Sequence, residues 1–480
     1  MRGSMFLGGF ASLMLFIHPL LFSAEIIVKQ DGTGDAATIQ AALQAAQDGD
    51  TIIIDDDGRY VEDVTASPTL ASLGIPAAPL SSFTLKAAEG RTPVIEAANA
   101  DSSQRMAALG IEGKDMLGCV IWGCSGVVIQ GIEFMSLDNE VNAFNVQSIL
   151  VIADSENVTI ENCTFRGPNA KSSGEGNAVL IAGVQAQPYL PDNILIRDCL
   201  ITESHYGVIS AVFQKGSGAD PNRVTIENCQ FIDGFESAID VDNARQMTVR
   251  NCFFDNYNHG VHLAGGNSVI EGCTIFNSKD AGLDCDVDTN WTDAITGGIV
   301  RQCAMIGNGI EVDAAGVRCA DGPLRFENCI IAGNSGPGIE VSSGSDTDVD
   351  AVFNHCDIYE NYGFSEVFVR SDGDHGVKLT ITNSNIVSTG GGIENELDPS
   401  AVIAHHNNVF VKGDAYYNVE AADSVSVDPL YASPANDPAE FSFEDFQLQA
   451  DSPVLTLSEN GNALGAHGTS ETGVQRWMMH

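Results

Sequence analysis

The chain has 480 residues, with 65 Asp and Glu against 22 Lys and Arg and a formal net charge of −43. Such a surface repels nucleic acid and anionic lipid, which excludes both as expected partners; it suits bound cations, a neutral partner or plain solvation. Forty-nine Gly and 16 Pro describe a chain that turns often and has room for few helices.

In chain order, Arg2, the apolar run Met5–Phe22 and the small residues Ser23 and Ala24 have the three-part form of a secretory signal peptide. Residues 1–24 are therefore expected to be removed, leaving a secreted, periplasmic or cell-surface protein. No later apolar stretch reaches the roughly 18 residues that span a bilayer, so no membrane insertion is expected after cleavage. Thr38–Gln47 places Ile39, Ala42, Leu43 and Ala46 on one face and is predicted to be a helix. Asp48-Gly49-Asp50 stops it, and Thr51–Ile54 reads as a buried strand. Residues 25–480 are too many for one ordinary core, which leaves several domains or a repeat array.

The repeat decides between them. Val158-Thr-Ile-Glu-Asn-Cys163, Ile194-Leu-Ile-Arg-Asp-Cys199 and Val224-Thr-Ile-Glu-Asn-Cys229 are one phrase. It returns as Met247-Thr-Val-Arg-Asn-Cys252, Ser268-Val-Ile-Glu-Gly-Cys273, Gly298-Ile-Val-Arg-Gln-Cys303 and Leu324-Arg-Phe-Glu-Asn-Cys329, and fades through Cys356 to Ser384. Successive cysteines lie 36, 30, 23, 21, 30, 26 and 27 residues apart. Strand alternation within each phrase, with variable intervals between phrases, predicts an all-β parallel β-helix solenoid of one coil per repeat.

Each coil carries a second strand introduced by a small residue, as in Gly207-Val-Ile-Ser, Ala238-Ile-Asp-Val-Asp, Gly260-Val-His-Leu, Gly282-Leu-Asp-Cys-Asp, Gly309-Ile-Glu-Val-Asp and Gly338-Ile-Glu-Val-Ser. Alternation sends one residue in two outward. The first outward column is expected to run Leu180, Ile209, Asp240, His262, Asp284, Glu311, Glu340. The second is expected to run Ala182, Ala211, Asp242, Ala264, Asp286, Asp313, Ser342, with Asp288 continuing the strand of Asp284 and Asp286. One face thus turns from apolar to densely acidic. Carboxylates about 4.8 Å apart on adjacent coils must bind a cation, spread into water or protonate in part. Asp284, Asp286 and Asp288 are the candidate metal ligands, and Ca²⁺ is the ion that oxygen ligands suit. Asp240, His262 and Asp284 are the candidate catalytic groups, since His262 between two carboxylates could move protons. Asp242, Glu311, Asp313 and Glu340 are the candidate substrate-binding groups. The bland alternative is a solvated acidic face.

Three stretches carry a family resemblance: Ala37-Thr-Ile-Gln-Ala-Ala-Leu43 through Gly49-Asp-Thr-Ile-Ile-Ile54, the repeats, and Phe446-Gln-Leu448 with Asp451-Ser-Pro453. Together they resemble the pectate-lyase-like superfamily of right-handed parallel β-helix proteins, over nearly the whole chain beyond the leader. The resemblance implies a cap at about 25–60, a closing segment at about 428–468, and an active groove on the strand that bears the acidic column. It also implies a polysaccharide or cell-surface glycan as partner, bound and cleaved by hydrolysis or elimination, with a non-catalytic surface or matrix protein as the alternative. The catalytic signatures of the superfamily do not transfer whole. Asn258-His259-Gly260 only echoes the polygalacturonase-like Gly-His-Gly, and the Lys or Arg base of the lyases is missing from the column, Lys279 and Arg318 being nearest.

Eight cysteines, Cys163 to Cys356, hold the repeat position, where an inward thiol serves as a small apolar group; they are expected to be reduced. Cys119 and Cys124 lie outside the repeat and are the expected pair if a disulfide exists.

Overall fold

The computed structural model describes residues 23–466 apart from 98–115, 137–146, 168–175, 185–189, 213–220, 242–243, 264–266, 287–296, 313, 344–346, 372, 374, 433–440 and 442. The expected leader lies outside the described residues except for its last two positions. The chain winds as a right-handed parallel β-helix, each coil laying a strand on each of three parallel sheets. Among the described residues, sheet A, which contains the repeat phrases, has 15 strands; sheet B, whose strands follow the repeat cysteines, and sheet C, which contains the strands opened by small residues, have 13 each. Register runs coil to coil without slippage, so that Val158 meets Ile194, then Val224, then Met247. Among the described residues no helix is long and apolar enough to cross a membrane.

The residue before each repeat cysteine turns the chain from sheet A to sheet B in the left-handed backbone region. Asn162, Asp198, Asn228, Asn251, Asn328 and His355 have φ of 53–55°, a conformation that Asn and Asp tolerate better than most residues. The cysteine that follows points inward. Cys229 Sγ, for example, lies 3.3 Å from the Glu227 carbonyl and 3.7 Å from that of Ile196 on the preceding coil. All twelve cysteines are buried and free. The Cys119–Cys124 pairing is not made: Cys119 points into the core from a sheet C strand, while Cys124 Sγ faces the carbonyls of Ala66 and Leu80 at 3.5 and 3.3 Å. Rings stack on the same principle, Phe326 on Phe353 at 4.2 Å and Phe134 on Phe165 at 5.1 Å.

Charges stack differently. Outward on sheet A, one register position reads Glu161, Arg197, Glu227, Arg250, Glu271, Arg301, Glu327 over seven consecutive coils. Each arginine reaches back to the preceding glutamate, Arg197 Nε to Glu161 at 2.8 Å and Arg301 to Glu271 at 3.0 Å. Like charges at one coil's spacing would repel; alternation lets each arginine pair with the preceding glutamate.

The helix forms over Ile39–Ala45, its first turn capped by the Thr38 hydroxyl, and buries Ile39, Ala42 and Leu43 over the first coil. The described residues of the segment after 428 are placed elsewhere than over the last coil. They run back along the outside of sheet B, where Tyr431, Phe441, Phe446 and Ala466 bury against the outward residues Ala304, Ile306, Ile330, Ala332 and Val387. Those outward positions are apolar and need a cover. Buried Asp357 fastens the segment, accepting from Tyr431 Oη at 2.6 Å and from the Ala466 amide at 2.8 Å.

A polar ladder lines the inner corner between sheets B and C. Asn308 Nδ2 donates to Asn334 at 3.0 Å, Asn334 to Asn361 at 2.7 Å, and Asn361 to Glu366 at 2.6 Å. Glu366 is fully buried, and that burial pushes its carboxyl up to about 8.

Two predictions follow from the interior. A carboxyl raised above its unfolded value holds a proton that the unfolded chain has lost. Stability therefore falls as pH rises from the ordinary carboxylate range to about 8. Glu366→Gln should flatten that decline and, at pH 8, melt above the parent by an amount worth about 1–3 kcal/mol, as read by calorimetry. Burial also pushes the Cys124 thiol up to about 12 and those of Cys163, Cys273 and Cys329 well above the ordinary range. A thiol reagent should find these sites silent in native buffer and reactive in denaturant; bridges found by mass spectrometry among the eight repeat cysteines would contradict this.

Candidate functional site on the outward face of sheet C

The first outward row of sheet C starts apolar and covered. Val120, Val151, Leu180 and Ile209 share one register. With Trp122, Ala153 and Ala182 they pack beneath Leu70 of the short helix Pro68–Ser72 and beneath Ile75 and Ala77 after it. Among the described residues, the cover stops at Ile209. The same register then continues Asp240, His262, Asp284, Arg318, Glu340, Phe368, Glu394 and Tyr417.

This row differs from the expected one at a single coil, and the difference changes its character. Glu311 lies in a turn whose neighbours Ile310 and Val312 are 51% and 61% exposed, and Asp313 lies outside the described residues. The strand in that coil is Val317–Cys319, opened by Gly316 rather than Gly309. Gly309 has φ +79°, a turn conformation, whereas a Cβ on Gly316 would collide with the Asn334 amide inside the corner. The signal was present in the chain: Gly282-Leu-Asp-Cys285 and Gly316-Val-Arg-Cys319 are one phrase, with Cys285 and Cys319 in register. Arg318 therefore stands in the row, directly beside Asp284.

The face is accordingly an alternation of acid and base. His262 Nδ1 lies 3.4 Å from Asp240 Oδ1. Asp284, only 4% exposed, accepts from Arg318 Nε at 2.9 Å and from Arg318 Nη2 through its second oxygen. Burial works against its charged form, but the Arg318 hydrogen bonds and charge, with help from His262 and His259, outweigh it and hold the carboxyl below the usual range. His259 enters from the start of the His262 strand, its Nδ1 3.9 Å from Asp284 and its Nε2 4.0 Å from Asp280. Glu340 accepts from Arg370 Nε at 3.0 Å. Asp242 and Asp288 lie outside the described residues.

Of the expected metal ligands, Asp284 and Asp286 belong to the described residues and Asp288 does not. Both Asp284 oxygens are committed to Arg318, and among the described residues no group of three or more His, Cys, Asp or Glu could hold a metal ion. Asp286, exposed and next outward after Asp284, faces Asp321 instead. Four participants escaped the sequence columns. Arg318 lies on the strand opened by Gly316 rather than Gly309, and His259 at the start of the His262 strand. Asp321 and Arg370 lie beyond the small-residue phrase that marks each strand.

A family model described as "Right handed beta helix region" matches residues 177–351. With the three parallel sheets, this fixes the fold class as a right-handed parallel β-helix. No curated protein matches the sequence. Solved structures of similar shape include the Azotobacter vinelandii mannuronan C-5 epimerase AlgE6 A-module, 15% identical over 82% of this chain and 96% of that one, TM-score 0.49. A PL6 family polysaccharide lyase from Pseudopedobacter saltans is 14% identical over 88% and 90%, TM-score 0.44. Bacteriophage CBA120 tailspike protein 3 is 9% identical over 87% and 64%, TM-score 0.49. At these identities and scores the likeness carries nothing about this chain.

Removing Arg318 should leave Asp284 charged, buried and unpaired. Arg318→Ala should cost about 3 kcal/mol at neutral pH in denaturant titration, and adding Asp284→Asn should recover part of it. Because the Asp284 carboxyl is held low, the pair stabilises fully above the ordinary carboxylate range and loses this as pH falls through its folded value, so the gap to the parent should close in acid.

Proposed function

We propose that the protein is exported and binds a polysaccharide or cell-surface glycan along the outward face of sheet C, cleaving it at Asp240, His262, Asp284 and Arg318. One observation carries this: a row of buried and half-buried ionisable side chains opens where the apolar cover of the same row ends. Folding alone does not call for it, since Val120 to Ile209 show that the row can be apolar, and burying Asp284 costs desolvation. Perturbed charges held at such an opening favour a site.

The chemistry suits a glycan. Alternating acceptors and donors match sugar hydroxyls, while Phe368 and half-exposed Tyr417 offer ring faces to sugar C–H groups. Asp240 beside His262 Nδ1 orients the imidazole as a group that takes or gives a proton at the substrate. Arg318, aligned by Asp284, offers positive charge to a sugar carboxylate or a developing oxyanion. Glu340, fixed by Arg370, is placed to accept from a hydroxyl. The leader of residues 1–24 supports a secreted, periplasmic or cell-surface location.

The test is a polysaccharide panel incubated with the mature protein, with and without Ca²⁺, following reducing ends and the absorbance of unsaturated sugars. Reducing ends alone mean hydrolysis; both signals mean elimination. His262→Ala should lower the rate at least about 100-fold with unchanged circular dichroism. A wild type that neither cuts nor binds any glycan would move the protein to the non-catalytic surface reading.

A further inference from the structure

The pairing of charges along sheet C bears on what kind of glycan the face can take. Among the described residues, the strands of this sheet carry four basic side chains, His259, His262, Arg318 and Arg370. Each already has a carboxylate. Arg318 is held by both oxygens of Asp284, with Asp280 3.8 Å away. Arg370 donates to Glu340, His262 lies beside Asp240, and His259 stands between Asp280 and Asp284. Lys279, between the sheet B and sheet C strands of its coil, donates to the Gly234 carbonyl at 3.1 Å and covers the Phe235 ring at 5.6 Å. The neighbouring sequence adds acid rather than base. From the strand Ser237–Asp240 to the strand Ser365–Ser371, the six connections back to sheet A contain nine Asp, one Arg and one His. A sugar carboxylate or sulfate entering the row would have to break an ion pair or meet bare carboxylates, and both are costly where the groups are half-buried.

The far end of the face offers ring surface instead. Phe364 is 99% exposed and Tyr362 68%, in the bend before the strand that bears Phe368. Tyr417, 58% exposed, lies in the Phe368 register two coils on. Folding gains nothing from a phenyl ring left wholly in water, and three exposed rings within three consecutive coils mark a binding face. The flat side of a pyranose brings C–H groups to such rings, in a contact that depends on apolar area and not on charge.

We infer, on the footing that this face is the glycan site, that its glycan is built of uncharged sugars without carboxyl groups, stacked on Phe364 and Tyr417. Sugar hydroxyls both donate and accept, so they can use the half-buried carboxylates Asp240, Glu340 and Glu394 without breaking a pair. Arg318 is then left for a developing oxyanion rather than for a sugar carboxylate. Where such a chain is cut, the cut is hydrolysis, because elimination draws off a proton that a neighbouring carboxyl has acidified. The bond from the anomeric carbon to the bridging oxygen breaks with its electron pair left on oxygen. Water gives its hydroxyl to the carbon, and its proton ends on that oxygen.

The experiment is affinity electrophoresis of the mature protein through gels that contain neutral glucans, mannans, xylans or galactans, a polyuronate, or chitosan. Each gel is run at low salt and at about 0.5 M salt, where screening removes unspecific attraction to so acidic a chain. A neutral polysaccharide should retain the protein with an affinity that changes less than about 2-fold between the two salts. The polyuronate should not retain it, with or without millimolar Ca²⁺. Phe364→Ala should weaken retention about 3–10-fold, the loss of one stacked ring, with unchanged circular dichroism. Retention by the polyuronate under any of these conditions overturns the inference and leaves the glycan site in place. Chitosan retaining the protein at high salt does the same, as does cleavage that raises the absorbance of unsaturated sugars. A neutral glycan bound equally well by Phe364→Ala overturns the stacking. A protein retained by no polysaccharide of any class removes the glycan site itself, an outcome distinct from each of the others.

Discussion

Each coil is joined to the next by a parallel hydrogen-bond ladder, and that ladder allows no slippage of register. A side chain therefore lies directly over its counterpart one strand spacing away, and its stability depends on what that counterpart is. Cys over Cys, Phe over Phe and Ile over Ile gain from the match, because apolar and aromatic surfaces stack on their own kind. Asn over Asn gains too, since the amide carries a donor at one end and an acceptor at the other; Asn308, Asn334 and Asn361 use both. Charge is the one property for which the match fails, and both charged rows answer with alternation.

The site on sheet C is a local version of that answer with a different purpose. On sheet A the Glu–Arg row is exposed to water over much of its side chains, and its pairs contribute little each. On sheet C the counterpart is sunk: Asp284 is almost inaccessible, with the His262 imidazole on one side of it in the row and Arg318 on the other. Replacing a permanent cation by a titratable one turns a structural ladder into groups that can exchange protons. The apolar stretch from Val120 to Ile209, packed beneath the segment around Leu70, ends where the ionisable row begins along the solenoid.

Much of this was legible in the chain. The repeat phrase gave the coils, their number of residues and the inward cysteines, because a buried period-two pattern tolerates little variation. The outward row was legible wherever a small residue opened the strand at a fixed distance from the corner. It failed at Gly309, since an inserted turn carries its own glycine and its own alternating residues, Ile310 and Val312, that imitate a strand while facing solvent. Composition could not show that the acidic face contains cations, because Arg318 is one residue in a chain with 65 acids. The partner of Asp286 was out of reach for a different reason: Asp321 belongs to the stretch after the strand, where the period-two rule no longer assigns a direction. The closing segment was misplaced because nothing local distinguishes a plug from a strap; only the apolar outward positions Ile306 and Ile330 on sheet B demand the latter.

The sheet A row has a consequence for how such a chain can change length. Its charges repeat every second coil, so the smallest unit that can be copied or lost without a clash is a pair. Excising the single coil that carries Arg250 would set Glu227 directly on Glu271, and duplicating it would set arginine on arginine. A solenoid of this kind grows and shrinks by tandem couples, and its ancestry should be sought in the doublet rather than in the single turn.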